Sequence, residues 1–275
     1  MKLDMVVPVY NEEHRIEQGV RRLHAFLSLL PLPTTSLAPS GEGTGEGFSP
    51  REASSTTPSP KTAPKQGSWQ IIILNNGSTD NTAILGRALA LKLPNVSYFS
   101  IPERGRGHAL RYAWSKSQAD VVGYTDVDLA TDISYLPYLL LAIQRGADFA
   151  IASRYKDGAR VKRERFRLAL SWSYNFLLRQ GFHPTFHDAQ CGLKVMRTSE
   201  TQNLLPMVKD NGWFFDTELL LLAARSGYRI VEVPVRWQEK PGSKVKVIST
   251  AAKQLYGLGR LRVAFWGKGL GYASK

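Results

Sequence analysis

Short apolar runs typical of β-strands alternate along this chain with segments whose apolar residues recur at helical spacing. Strands are predicted at 3–9, 70–74, 96–101, 122–126, 149–153, 193–196 and 229–235. Helices are predicted at about 12–30, 81–92, 107–118, 134–145, 163–180 and 214–226, the first with Asn11 as its N-cap. Because strands that alternate with helices pair in one open sheet, the pattern predicts an α/β fold.

Residues 33–67 interrupt this alternation. The segment is rich in Pro, Ser, Thr and Gly and almost lacks large apolar residues, which predicts a disordered surface insertion within one domain over 1–245. The lone Cys191 excludes an internal disulfide and is consistent with a reducing compartment. A strand starting at residue 3 leads us to expect no signal peptide. The sequence contains no run of about eighteen uncharged apolar residues, so we predict no membrane span.

Two carboxylates, Asp126 and Asp128, follow directly on the strand-like run that begins at Val122. Since they lie two residues apart in an extended segment, both side chains can point the same way, toward a ligand at the carboxyl end of the strand. Mg²⁺ and Mn²⁺ bind proteins through one or two carboxylates and take their other ligands from water and phosphate oxygens. The pair therefore predicts a divalent metal site.

Three other loops are predicted at carboxyl ends of strands, where open α/β sheets bind ligands. The segment 7–13 places small, aromatic and acidic groups beside a helix N-terminus, and 75–80 combines polar side chains with a glycine turn. Such turns can hold a nucleoside or a phosphate. In 103–108, glycines allow close approach of the backbone to a ligand, and Arg104 and Arg106 are candidates to contact phosphate.

The chain of 275 residues has a formal net charge of +13. This charge indicates a polyanionic partner, namely nucleic acid, an anionic membrane surface or phosphate-rich small molecules. The basic residues are dense over 160–167 and 240–268, and the alternative explanation for them is a set of solvated helix faces.

The segments 6–13, 76–80, 105–107 and 126–128 match, in order, the donor-binding motifs of the inverting family 2 glycosyltransferases of GT-A type, and the chain resembles that family. The segments 188–194, 213–219, 233–237 and 242–245 resemble the polyprenyl-phosphate sugar synthases, especially the dolichyl-phosphate β-glucosyltransferases. The resemblance covers nearly the whole chain apart from 33–67. It implies a Rossmann-like three-layer α/β/α fold with a mostly parallel central sheet, and a hexosyltransferase that uses Mg²⁺ or Mn²⁺.

The resemblance also implies roles at the donor site. Asp128 would bind the metal directly, with Asp126 toward the ribose or the metal. Lys244 would close over the diphosphate, and Arg106 would lie near the phosphates. The residues implied around the base and ribose are Pro8, Tyr10, Glu12, Asn75 and Asn76. UDP-glucose is the favoured donor. The family usually has Asp at the position of Asn75, so the nucleotide base stays open, because an amide can either accept or donate a hydrogen bond.

The acceptor implied by the resemblance is a polyprenyl phosphate, which is already ionised and needs positioning more than a base. Candidates to hold it are Arg160, Lys162, Arg163 and Arg165. A hydroxyl acceptor would instead need a base, for which Asp188 ranks before Asp216. Asp216 and Glu218 are alternatively residues that only cap and orient a helix.

The segment 246–275 is basic and amphipathic, and we predict a helix that lies in a membrane interface. Its apolar positions are Ile248, Ala252, Leu255, Leu258, Leu261 and Phe265, flanked by Lys246, Lys253, Arg260, Arg262 and Lys268. The alternative is that it packs on the protein's own core. Many members of the subgroup carry a transmembrane helix that is not apparent here.

Three hypotheses follow. The leading one is a metal-dependent transferase, cytoplasmic and peripheral on the membrane, that moves a sugar, with glucose favoured, onto polyprenyl phosphate and has no nucleic-acid partner. The second keeps the donor site but has a hydroxyl acceptor on a glycan, a lipid or a protein. The third is a non-enzymatic basic protein that binds nucleic acid or membrane, which leaves the ordered loops unexplained.

Overall fold

The computed structural model describes residues 1–32, 37, 68–162, 165–240 and 247–266. The predicted insertion 33–67 lies outside the described residues apart from Leu37. The strands are β1 (Lys2–Val9), β2 (Ser68–Asn76), β3 (Val96–Ile101), β4 (Val121–Thr125), β5 (Phe149–Ser153), β6 (Arg160–Lys162), β7 (Leu193–Arg197), β8 (Ile230–Pro234) and β9 (Arg236–Gln238). The helices are α1 (Ile16–Leu29), α2 (Thr82–Lys92), α3 (Arg106–Lys116), α4 (Leu136–Gln144), α5 (Arg165–Phe182), α6 (Thr198–Leu204), α7 (Phe215–Arg225) and α8 (Val247–Trp266).

The central sheet has the strand order β3-β2-β1-β4-β7-β5-β8. All of its strands run in the same direction except β7, which is antiparallel to both of its neighbours. The short strands β6 and β9 form a separate parallel pair. The predicted mostly parallel central sheet is therefore confirmed.

Helices cover both faces of the sheet because strand side chains alternate between the faces and are apolar on both. One core contains apolar residues of α1, α2 and α4. The other core contains residues of α3, α5, α6, α7 and α8. In β4, Val121 belongs to the first core while Val122 and Tyr124 belong to the second. The result is the predicted three-layer α/β/α arrangement.

The helix predicted over 12–30 begins later than expected, at Ile16. The prediction that Asn11 caps it was wrong. Asn11 has a positive φ of 53° and its side-chain oxygen accepts the Thr79 backbone N–H at 2.7 Å. Residues 12–15 instead form a turn, in which the Arg15 N–H donates to the Glu12 carbonyl at 2.9 Å. Asn11 thus joins two loops.

The elements β6, β9 and α6 were not predicted, because runs of three to seven residues carry too little periodicity to be recognised. The helix α8 was predicted, and the alternative that it packs on the core applies to part of it. Leu258 and Leu261 are buried in the core. A Cβ on Gly257 would lie 2.5 Å from the Phe214 ring. In the described parts of the chain, every helix is too short or too polar to cross a bilayer.

Candidate functional site

The predicted loops 7–13, 75–80 and 103–108 meet at the carboxyl edge of the sheet. The Asn11 backbone N–H donates to the Ser78 hydroxyl at 2.9 Å, and the Glu12 backbone N–H donates to the Thr82 hydroxyl at 2.8 Å. The Arg104 guanidinium lies over the Tyr10 ring, 5.2 Å from its centroid. Parallel strands end at a common edge, which is why loops distant in sequence meet here. Pro8 lies on β1 just before this edge, paired in register with Leu74.

Two adjacent asparagines at the end of β2 have different environments. The Asn75 side chain is saturated, because it donates to the Tyr98 and Ser100 hydroxyls and accepts the Ser78 backbone N–H at 3.1 Å. The side-chain oxygen of Asn76 is buried and has no hydrogen-bond partner among the described residues. An unpaired buried acceptor is costly, so this oxygen is the better candidate to receive a donor from a ligand. Asn75 holds the turn, and its contact with a base stays a prediction.

Replacing Asn76 by alanine is expected to weaken nucleotide binding about tenfold, because one ligand hydrogen bond is lost. The free energy of unfolding of the Asn76→Ala variant should differ from that of the native protein by less than about 1 kcal/mol, since no internal hydrogen bond is broken. The matched Asn75→Ala variant should instead lose about 2–3 kcal/mol of stability. Isothermal titration with nucleotide and urea unfolding measure both quantities. Unchanged nucleotide affinity in Asn76→Ala would refute the assignment.

The carboxylates of Asp126 and Asp128 flank the buried Val127 in the turn after β4. Partial burial raises the pKa of Asp126, with Arg106 opposing and the charge of Asp128 adding to the rise. Its side chain is still 42% exposed, so water moderates this effect. Two repelling hard oxygen donors suit a divalent cation. The described residues contain no group of three or more His, Cys, Asp or Glu placed to bind a metal, so water and phosphate would complete the coordination.

Two glycines allow this turn to lie where it does. A Cβ on Gly192 would lie 2.0 Å from the Oδ2 of Asp126, and the Asp126 backbone N–H donates to the Gly192 carbonyl at 3.1 Å. On the other side, a Cβ on Gly19 of α1 would lie 1.9 Å from the Val127 carbonyl oxygen. The position of the Asp126 carboxylate therefore depends on the absence of a side chain at residue 192.

Changing Gly192 to alanine should push the Asp126 carboxylate out of place and weaken Mn²⁺ binding by at least about tenfold. Gly181→Ala is the matched control, because nothing lies within 4 Å of a Cβ at that position. Mn²⁺ binding is measured by electron paramagnetic resonance titration, with circular dichroism as the check of folding. Equal Mn²⁺ affinity in the two variants would contradict the placement of the metal at Asp126.

Next to the Asp126 carboxylate lies a buried charge cluster formed by Arg106, Asp216, Lys194 and Tyr124. The Arg106 guanidinium donates to the Oδ2 of Asp216 at 2.5 Å and lies 3.5 Å from the Oδ1 of Asp126. Asp216 Oδ1 accepts the Tyr124 hydroxyl at 2.7 Å and lies 3.4 Å from the Lys194 ammonium. Burial would raise the pKa of Asp216, but the charges of Arg106 and Lys194 more than offset it and lower that pKa.

Asp188, the first-ranked base, lies in a second buried ion pair. Its carboxylate accepts both the Nε and Nη2 of Arg154, at 2.8 and 2.9 Å, and also the backbone N–H groups of Arg154 and Gln190. Burial would raise the pKa of Asp188, but the charge and hydrogen bonds of Arg154 more than offset it and lower that pKa. The observed geometry suits an anchor for Arg154 better than a base.

The remaining predicted residues are placed only in part. Arg160 and Lys162 are exposed at the two ends of β6. Arg163 and Lys244 lie outside the described residues, and Arg165 begins α5. The predicted approach of Arg106 to phosphates stays a prediction, because the contacts of its guanidinium are with carboxylates and with the Trp213 and Tyr124 rings.

Sequence reasoning missed Arg154, Gly192 and the role of Lys194. Lys194 did carry a signal, because a lysine inside the apolar run of β7 requires a buried carboxylate partner. The sequence pattern could not identify which carboxylate this partner is. The pairing of Tyr124 with Lys194 comes from the register of β4 and β7, and Asp216 comes from α7.

Comparison with known proteins gives one family and several relatives. The model of the glycosyl transferase family 2 matches residues 61–205. The glycosyltransferase AglD of Haloferax volcanii is 30% identical over 97% of this chain, and the dolichyl-phosphate beta-glucosyltransferase of Saccharomyces cerevisiae is 29% identical over 73% of it. The chain spans 37% of the length of the first relative and 66% of the second.

Among solved structures, glucosyl-3-phosphoglycerate synthase from Mycobacterium tuberculosis in complex with Mg²⁺ and uridine-diphosphate superposes with a TM-score of 0.61. The match covers 96% of this chain and 79% of that chain at 16% sequence identity. This likeness establishes that the fold is of the GT-A type.

Proposed function

Because the chain belongs to glycosyl transferase family 2, we propose that it is a metal-dependent hexosyltransferase that moves glucose from UDP-glucose to a polyprenyl phosphate. In this reaction an acceptor phosphate oxygen attacks the anomeric carbon. The bond from that carbon to the diphosphate breaks, and UDP leaves. The inverted configuration of the product follows from the inverting character of the family that the sequence resembles.

The choice of acceptor rests on the burial and ion pairing of the two candidate bases, Asp188 and Asp216. Asp188 and Asp216 are buried, each is paired with a cation, and both have a lowered pKa. A general base must reach the proton that it abstracts, and its pKa must lie near the working pH. Neither carboxylate meets this requirement. A phosphate monoester is ionised before it binds and needs no base, so it fits a site of this kind.

The residues of the chain then have positioning and electrostatic roles. The joined loops around Tyr10 and Asn76 hold the nucleotide, and Glu12 braces them. Asp126 and Asp128 hold the Mg²⁺ or Mn²⁺, which would neutralise charge on the leaving diphosphate. Arg106 orients Asp126 from behind. Lys244 is proposed to close over the diphosphate, and Arg160, Lys162, Arg163 and Arg165 are proposed to hold the acceptor phosphate.

The names of relatives support the sugar and the lipid. The yeast relative is a dolichyl-phosphate beta-glucosyltransferase, which names glucose and a polyprenyl phosphate for that protein. The Mycobacterium tuberculosis structure contains Mg²⁺ and uridine-diphosphate, in keeping with the same metal and nucleotide here. A lipid acceptor requires action at a membrane surface, so we propose a peripheral protein on the cytoplasmic membrane face.

The test compares two acceptors of the same chain length, polyprenyl phosphate and the free polyprenol, in detergent with Mn²⁺ and a panel of labelled UDP- and GDP-sugars. We expect label in organic-extractable lipid from UDP-glucose and polyprenyl phosphate only. Transfer to the polyprenol or to a glycan would favour the hydroxyl acceptor. That alternative also predicts that Asp188→Asn abolishes transfer while nucleotide binding is kept.

A further inference from the structure

The helices α5 and α8 have apolar side chains on the sides that face water. Among the described residues, six of the eleven large apolar side chains that are exposed lie on these two helices. They are Trp172, Phe176 and Leu177 on α5 and Leu255, Tyr256 and Val263 on α8. The others are scattered, for example Ile84 and Leu91 on α2. A helix at a protein surface normally presents polar residues to water, so these two faces need an explanation.

On α5 the two sides of the helix can be compared directly. Tyr174 and Leu178 are buried in the core and fix the inner side. Trp172 and Phe176, one turn apart, point outward and stack on each other with ring centroids 5.7 Å apart. Trp172 is 61% exposed although it is the largest side chain of the helix. The prediction for 163–180, a basic amphipathic helix, had not identified this outer apolar face.

On α8 the inner side is equally well fixed. Leu258 and Leu261 are buried, and Arg260 donates to Glu218 of α7 at 2.7 Å. Because this helix is anchored, its exposed face does not result from loose packing. Tyr256 and Val263 are 76% and 72% exposed. The two helices are neighbours, since the Phe182 ring at the end of α5 meets the Phe265 ring of α8 edge to face at 5.7 Å.

The charged residues on the two helices themselves have one sign. Neither α5 nor α8 contains an Asp or a Glu. Arg179 on α5 and Lys253 and Arg262 on α8 are exposed. An apolar, aromatic face bordered by Lys and Arg is the pattern of a surface that inserts among anionic lipid headgroups. A second copy of the chain fits poorly, because a two-fold interface would oppose cations with cations.

We propose that the solvent faces of α5 and α8 together form a docking surface for an anionic lipid bilayer. Trp172, Phe176, Tyr256 and Val263 enter the interface, and the basic residues bind the headgroups. The inference deepens the proposed function and rests on it for the reason to bind a membrane. Since α5 begins three residues after β6, docking also brings Arg160 and Lys162 toward the surface where a lipid phosphate would be presented.

The experiment uses co-sedimentation with vesicles that contain neither polyprenyl phosphate nor nucleotide sugar. Vesicles of phosphatidylcholine with phosphatidylserine are compared with phosphatidylcholine alone. The variants are Trp172→Ser with Phe176→Ser on α5, and Tyr256→Ser with Val263→Ser on α8. The matched control is Ile84→Ser with Leu91→Ser, two exposed apolar residues on α2. Circular dichroism and thermal unfolding verify that each variant folds.

We expect the native protein and the α2 control to bind the phosphatidylserine vesicles alike and phosphatidylcholine more weakly. The α5 and α8 variants should each bind at least about tenfold more weakly. The proposal is overturned if the native protein does not sediment, if the α5 and α8 variants bind normally, or if the α2 control loses as much binding. It is also overturned if light scattering finds a native dimer that these variants make monomeric.

The outcome can be separated from that of the proposed function. Transfer to polyprenyl phosphate in detergent needs no bilayer, so the α5 variant should keep the native rate there. Vesicle binding without any transfer would contradict the proposed reaction and leave the docking surface intact. Transfer in detergent without vesicle binding would support the proposed reaction and contradict the docking surface.

Discussion

Replacing Asp128 by alanine is expected to reduce sugar transfer roughly 10³-fold or more, because the proposed metal would lose its direct ligand and would no longer neutralise charge on the leaving diphosphate. Asp128 is a cleaner choice than Asp126, whose carboxylate also lies 3.5 Å from Arg106 and so contributes to the buried cluster. The measurement is the initial rate of label transfer at saturating Mn²⁺. Thermal unfolding of the variant should remain close to that of the native protein.

Two further variants separate charge from structure. Asp128→Asn keeps an oxygen for the Ala130 backbone N–H, which Asp128 accepts at 3.0 Å, but loses the negative charge. It should be nearly as inactive as the alanine variant. Asp132→Asn removes the same charge four residues on, where the carboxylate accepts the Ser134 N–H, and should transfer normally. Native transfer rates in both Asp128 variants would exclude a metal mechanism that depends on this carboxylate.

Replacing Asp216 by alanine should cost about 3–5 kcal/mol in the free energy of unfolding, the largest loss of stability we predict. Arg106 and Lys194 would remain buried without their shared carboxylate, and the Tyr124 hydroxyl would lose the shorter of its two hydrogen bonds and keep the one to the Cys191 carbonyl at 3.4 Å. Urea unfolding measures the loss. A change below about 1 kcal/mol would show that the buried cations are not stabilised by this carboxylate.

A double variant tests the cause of that loss. If the uncompensated Lys194 charge contributes, adding Lys194→Met to Asp216→Ala should recover at least about 1 kcal/mol, because an apolar group of similar length no longer needs a partner. Lys194→Met alone should destabilise the protein. The double-mutant cycle measures the coupling between the two residues. Losses that simply add would contradict a direct interaction between them.

The pH dependence has a definite sign. The pKa of Asp216 is lowered in the folded protein, so its contribution to stability is present above the unfolded-state value of about 3.9 and is lost as pH falls through the folded-state value. The difference in unfolding free energy between the native protein and Asp216→Ala should therefore be largest near neutral pH and shrink in acid. Urea midpoints measured across pH provide the test. A difference that grows in acid would contradict the assigned direction.

Local signals in the sequence were sufficient for most of the fold. Strands β3 and β5 were predicted with their observed bounds, because each is a short run of mostly apolar and aromatic residues between polar loops. The start of α1 was misplaced, since Asn11 looks like a cap but bonds to a loop 68 residues away. The resemblance placed both Asn75 and Asn76 around the nucleotide, and only the contacts of Asn75 with Tyr98 and Ser100 distinguish the two amides.

The alternation of strands and helices, the order of the loops and the carboxylate pair after β4 could all be predicted from the sequence alone. These depend on residue type and short-range periodicity, which are local properties. Only the tertiary structure decided that Asp188 and Asp216 serve Arg154 and Arg106, and which sides of α5 and α8 remain in water. Partners of buried charges lie 34 and 110 residues apart in sequence. They meet because of strand order and register, which arise only when the whole sheet assembles.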